Sequence, residues 1–141
     1  MKYLLLFLFL LFISCTSSFE GRMINCIEQH IEDSTFYFNI DEFYNDWDSL
    51  YIFLESASYN DVAKIMGETN FEHDLSCDLF FKKERRIVKC IHFFPYDECG
   101  NASSQKIRFN FASDSYCKKF KKGEAIFKIE KCNNIYILTS K

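Results

Sequence analysis

Proline occurs once in this chain of 141 residues and glycine four times. With 18% aromatic residues, that scarcity describes a packed globule, not a disordered tail. Several kinds of chemistry are missing with the glycines. The sequence holds no phosphate-binding glycine loop, no nucleophile elbow and no HExxH zinc helix. Its histidines are His30, His73 and His92, and none stands at a spacing typical of metal sites. His73 lies between Glu72 and Asp74 in a loop, but adjacent residues rarely converge on one ion. No metal, no cofactor and no catalytic residue is therefore expected, and the reading is that of a non-enzyme. The longest apolar run, Tyr3 to Ile13, is also too short for the roughly 20 residues of a membrane-spanning helix.

That short run nevertheless carries information. Lys2 before it and Ser14-Cys15 after it give the layout of an export signal. Phe12-Ile13-Ser14-Cys15 resembles the cleavage box of bacterial lipoproteins, in which a bulky apolar residue and a small residue precede the modified cysteine. The resemblance implies a signal over 1–15, a diacylglycerol and fatty acyl (palmitate) anchor on Cys15, and a tether over 16–21. It places the domain in the cell envelope, in the periplasm or on the surface. Ordinary cleavage after Ser17 is the alternative. Both routes remove Cys15 from the cysteine count, leaving Cys26, Cys77, Cys90, Cys99, Cys117 and Cys132. An even number in an exported domain points to disulfides.

Residues 22–141 read as a single disulfide-stabilised α+β domain: an antiparallel sheet of about six or seven strands with an N-terminal helix and a short second helix packed on it. Met23, Ile24, Ile27 and Ile31 share one helical face between Arg22 and Asp33. A strand is expected over Thr35 to Ile40 and another over Trp47 to Leu54. A short helix capped by Ser58 or Asn60 stops at Gly67. Further strands are expected over Ser76 to Phe81, Arg86 to Phe94, Lys106 to Phe111, Glu124 to Glu130 and Ile135 to Thr139, and Ser113 to Lys122 reads as a loop.

Pairing Ser76 to Phe81 with Arg86 to Phe94 about Lys82-Lys83-Glu84-Arg85 sets Leu79 opposite Val88, Asp78 opposite Lys89 and Cys77 opposite Cys90. That register makes Cys77–Cys90 a bridge. If consecutive strands run antiparallel, Cys99 with Cys132 and Cys26 with Cys117 complete the set without spanning a strand's length.

Charge is unevenly spread. Ten acidic residues fall between Glu20 and Asp61, where Arg22 is the single Lys or Arg, while bases predominate from Lys82 to Lys131. Two solvated surfaces attracting each other within the domain explain this most simply. Lys118, Lys119, Lys121 and Lys122 could alternatively form a patch for an anionic partner or lipid headgroups. Nucleic acid is not expected for a net-acidic exported chain.

Trp47-Asp48-Ser49-Leu50-Tyr51-Ile52-Phe53, followed by Val62-Ala63-Lys64-Ile65-Met66-Gly67, resembles a segment shared by small bacterial lipoproteins without an established activity. The resemblance covers about 30 residues and implies a strand at Trp47 to Leu54; it carries over no site residue. The functional expectation is a lipid-anchored envelope protein that binds another protein as an accessory, inhibitor or immunity-like factor. A small secreted enzyme, with Glu72, His73, Asp74 and the loop from Pro95 to Ser104 as the places to look, is one alternative. A soluble eukaryotic secreted protein glycosylated at Asn101 is another.

Overall fold

The computed structural model describes residues 18–33, 35–67, 76–93 and 106–140. Cys15, Cys99, Asn101, the Glu72-His73-Asp74 group and the loop from Pro95 to Ser104 lie outside them. The chain is α+β, with two α-helices and eight strands among the described residues.

Helix α1 spans Phe19–His30, three residues upstream of its expected place. The Ser18 hydroxyl fixes the start by accepting from the Gly21 amide at 3.0 Å, and Glu20 and His30 lie in the first and last turns, where each suits the helix dipole. Phe19 to Gly21, read above as tether, are thus helical. Phe19 packs edge-on against Phe43 and Phe81. The apolar spacing correctly identified the inward face, since Met23 and Ile27 are fully buried.

The strands follow as β1 Tyr37–Asn39, β2 Ser49–Phe53, β3 Cys77–Lys83, β4 Arg86–Phe93, β5 Ile107–Asn110, β6 Cys117–Lys121, β7 Ile126–Cys132 and β8 Ile135–Ser140. They divide between two four-stranded sheets, ordered β1-β7-β8-β5 and β4-β3-β2-β6. Every pairing is antiparallel except that of β5 with β8. The inner faces of both sheets meet in one core with α1. Leu50, Ile52, Leu79, Phe81 and Phe120 come from one sheet, and Phe38, Phe109, Phe127 and Leu138 from the other. Phe93–Phe109 and Phe120–Phe127 ring contacts, with centroids 5.9 and 5.4 Å apart, join the two sheets.

Helix α2, Tyr59–Met66, begins with a complete capping box between Ser58 and Asp61 and ends at Gly67, whose φ of 84° suits glycine. Its Val62 packs with Phe53, Ala57 and Phe80 in a second cluster on the outer face of the β4-β3-β2-β6 sheet. Strand β2 is therefore covered on both sides, by Leu50 and Ile52 inward and Phe53 outward.

Two expectations fail. The segment Cys117–Lys121 is a strand, paired to β2 along its length with Phe120 turned inward; its lysines point largely to the other side and hide the strand pattern. The β3–β4 register is also different. The turn is only Glu84-Arg85, both at positive φ, and an irregularity at Phe81/Lys82 admits one extra residue on β4. Leu79 consequently faces Ile91, Asp78 faces His92, Phe80 faces Cys90 and Cys77 faces Phe93. This slip of three positions is odd, so Cys77 and Cys90 lie on opposite faces of the sheet.

Several acids of the N-terminal part find partners within the domain, one of them a base. Glu20 accepts from the Lys106 amide, Asp41 from the Gly123 amide and Asp48 from the Glu84 amide, at 3.0, 2.8 and 2.8 Å. Asp46 pairs with Lys83, and Glu28 accepts from the Tyr136 hydroxyl at 2.8 Å.

Candidate functional site

Alternation along β4 puts Cys90 and His92 on one face, and the observed register brings Asp78 beneath His92 from β3. Asp78 is fully excluded from solvent. Its Oδ1 lies 2.7 Å from His92 Nδ1, while His92 Nε2 lies 3.5 Å from the Cys90 Sγ. When the carboxylate is ionised it can only accept, and Nδ1 then carries the proton and donates to Asp78. In the neutral ring Nε2 then presents its lone pair to the thiol. Burial, and after it the charge of Asp78, pushes the Cys90 thiol up to about 12. At rest a protonated thiol therefore faces the Nε2 edge of an imidazole that Asp78 orients.

The other cysteines stand apart. Cys77 is buried in the inter-sheet core and its thiol is raised well above the ordinary value, chiefly by burial. Cys26 packs against that same core from α1. Cys117 belongs to the outer-face cluster, where burial pushes it up to about 12. Cys132 is exposed at the end of β7. All five described cysteines carry free thiols. The Cys77–Cys90 pairing loses its basis with the register that suggested it. Cys26 and Cys117 are likewise on opposite sides of the β4-β3-β2-β6 sheet. Strand direction no longer favours Cys99 with Cys132 either, because β5 runs parallel to β8 and β6 belongs to the other sheet.

The four lysines expected to act together are divided by the strand. Lys118 donates to the Ser140 hydroxyl at 2.8 Å and lies 5.3 Å from the Phe120 ring centre, and Lys122 donates to the Asn45 carbonyl. Lys119 and Lys121 share the outer face, where Lys82 of β3 joins them. The ammonium groups of Lys82 and Lys119 lie 5.7 and 5.4 Å from the centre of the Tyr51 ring. One sheet face thus carries both a thiol–imidazole–carboxylate row and a tyrosine flanked by cations.

Neither was expected from the sequence. Cys90-Ile91-His92 does hold a usable signal, since residues two apart on a strand share a face, but the assumed register placed Asp78 opposite Lys89. Among the described residues no group of His, Cys, Asp and Glu side chains could hold a metal ion, and no helix is long and apolar enough to cross a membrane. No protein-family model, curated protein or solved structure matches the chain.

Proposed function

We propose that the chain is a lipid-anchored bacterial envelope protein that acts by binding an acidic protein surface through Tyr51, Lys82, Lys119 and Lys121. The anchor rests on the Phe12-Ile13-Ser14-Cys15 sequence. The binding role rests on the cation-flanked Tyr51: an aromatic ring and charged lysines on a rigid central sheet offer apolar contact and charge complementarity together. The helix α2 cluster beside it holds that face in place.

The full chain, expressed in a bacterial envelope with a photo-crosslinking residue in place of Tyr51, tests the reading. A single stoichiometric protein adduct is expected, lost on combined Lys82→Glu, Lys119→Glu and Lys121→Glu replacement. Persistence of the adduct in the charge-reversed chain, or crosslinking only to lipid, overturns it. Intact mass separately tests the anchor, through an acylated chain beginning at Cys15 or an unmodified one beginning at Ser18.

A further inference from the structure

We propose that Cys90 is an acyl-accepting thiol, with His92 as its general base and Asp78 as the carboxylate that positions His92. Three observations converge on this reading, which goes beyond binding. The three groups form an unbroken row with separations of 3.5 and 2.7 Å. The carboxylate at its end is completely buried, so its acceptance from Nδ1 fixes both the tautomer and the direction of the imidazole. Cys90 and His92 themselves are only partly buried, so the reacting end of the row keeps some contact with solvent.

The chemistry follows from the protonated thiol beside an oriented imidazole. A thiol held at about 12 supplies almost no thiolate on its own at neutral pH. Attack therefore requires that the proton leave as the new bond forms. As Cys90 Sγ adds to the carbonyl carbon of an activated ester or thioester, its proton passes to His92 Nε2. Collapse of the tetrahedral adduct breaks the bond to the leaving oxygen or sulfur, which departs with the electron pair and takes that proton from His92 or from solvent. The product is a Cys90 thioester, and no electrons are gained or lost. Asp78 stabilises the transient imidazolium and prevents the ring from turning its N–H toward sulfur.

Cys132 supplies an internal comparison, being an exposed cysteine without such a row. The full chain in detergent, treated with p-nitrophenyl acetate at neutral pH and mapped by peptide mass, should acquire acetyl on Cys90 at least about tenfold faster than on Cys132. His92→Gln should lower the Cys90 rate about 100-fold, within the range of general-base contributions, while leaving that of Cys132 unchanged. Unaltered circular dichroism in the variant separates lost chemistry from lost folding. Equal Cys90 rates with and without His92, or acetylation of Cys132 alone, overturns the proposal.

Asp78 is tested by the imidazole nitrogen-15 spectrum. The wild-type His92 should show the Nδ1-protonated tautomer, and Asp78→Asn should raise the Nε2-protonated population as acylation falls. An Nε2-protonated ring in the wild type would remove the positioning role and the mechanism with it.

Discussion

The two faces of the β4-β3-β2-β6 sheet are built from the same strands and have almost nothing else in common. Inward, Leu50, Ile52, Leu79, Phe81 and Phe120 make a continuous apolar layer against the second sheet. Outward, Phe53 and Phe80 form a small cluster under α2 with Ile87 and Cys117 beside it, and the face also carries Asp78, Cys90, His92, Tyr51 and lysines. Cysteine occurs on both sides with different consequences. Cys77 is surrounded by core, whereas Cys90 meets an oriented histidine. Residue type does not distinguish these thiols; the face does, and the register sets the face.

The largest test of this contrast is Phe81→Ala. Phe81 is fully buried and meets the rings of Phe19, Tyr44 and Trp47. Its truncation should destabilise the domain by about 3–5 kcal/mol, read from the midpoint of urea unfolding. A loss below about 1 kcal/mol would mean that the inner layer is not the main core. Cysteine replacement sharpens the comparison. Cys77→Ser puts a hydroxyl into an apolar core and should cost about 1–3 kcal/mol. Cys90→Ser, at a partly buried site beside a hydrogen-bonding imidazole, should cost less than about 1 kcal/mol while abolishing acylation. Equal losses in the two variants would erase the distinction between the faces.

What the sequence made legible was local, and what it concealed was relational. Met23 and Ile27 marked the buried side of α1 because helical spacing is a property of one segment. Ser58 and Gly67 bounded α2 for the same reason. The strand expected over Trp47 to Leu54 formed at Ser49–Phe53. Strand β6 escaped because only Phe120 in Cys-Lys-Lys-Phe-Lys faces the core, so its lysines read as a solvated run. The thiol site escaped because it depends on one extra residue opposite Phe81/Lys82. The hydrophobic, charge and cysteine pairings that agreed on the shorter register were coincident, and all three fail together.

The outer face also relies on α2, which gives a smaller prediction. Ser58→Ala removes one half of the capping box: Ser58 Oγ accepts from the Asp61 amide at 3.2 Å, and the Asp61 carboxylate accepts from the Ser58 amide at 2.8 Å. About 1 kcal/mol should be lost. If the helix merely rests on Phe53 and Phe80, amide exchange should accelerate in Tyr59 to Met66 and remain unchanged in Leu50, Ile52 and Leu79. Accelerated exchange at all of these positions would instead make α2 part of the cooperative core.

The smallest effect concerns the turn on which the register depends. Asp48 accepts from the Glu84 amide and from the Ser49 hydroxyl, and these bonds, the amide first, hold its carboxyl below the usual aspartate range. A carboxylate depressed by folding contributes stability that is present above its unfolded value, near pH 4, and is lost as pH falls through the lower folded value. Because the side chain is solvated, the effect is slight. Asp48→Asn should flatten the decline in unfolding midpoint between pH 5 and 2 without altering its shape above pH 6. The same variant reports on the register, since loosening Glu84-Arg85 frees the end of the hairpin. If the irregularity at Phe81/Lys82 alone holds Asp78 opposite His92, Cys90 acylation is unchanged in Asp48→Asn; if the turn contributes, acylation slows while Cys132 reacts as before. An acylation rate tied to Asp48 would place the control of thiol chemistry at the tip of the β3–β4 hairpin, well away from the sulfur it directs.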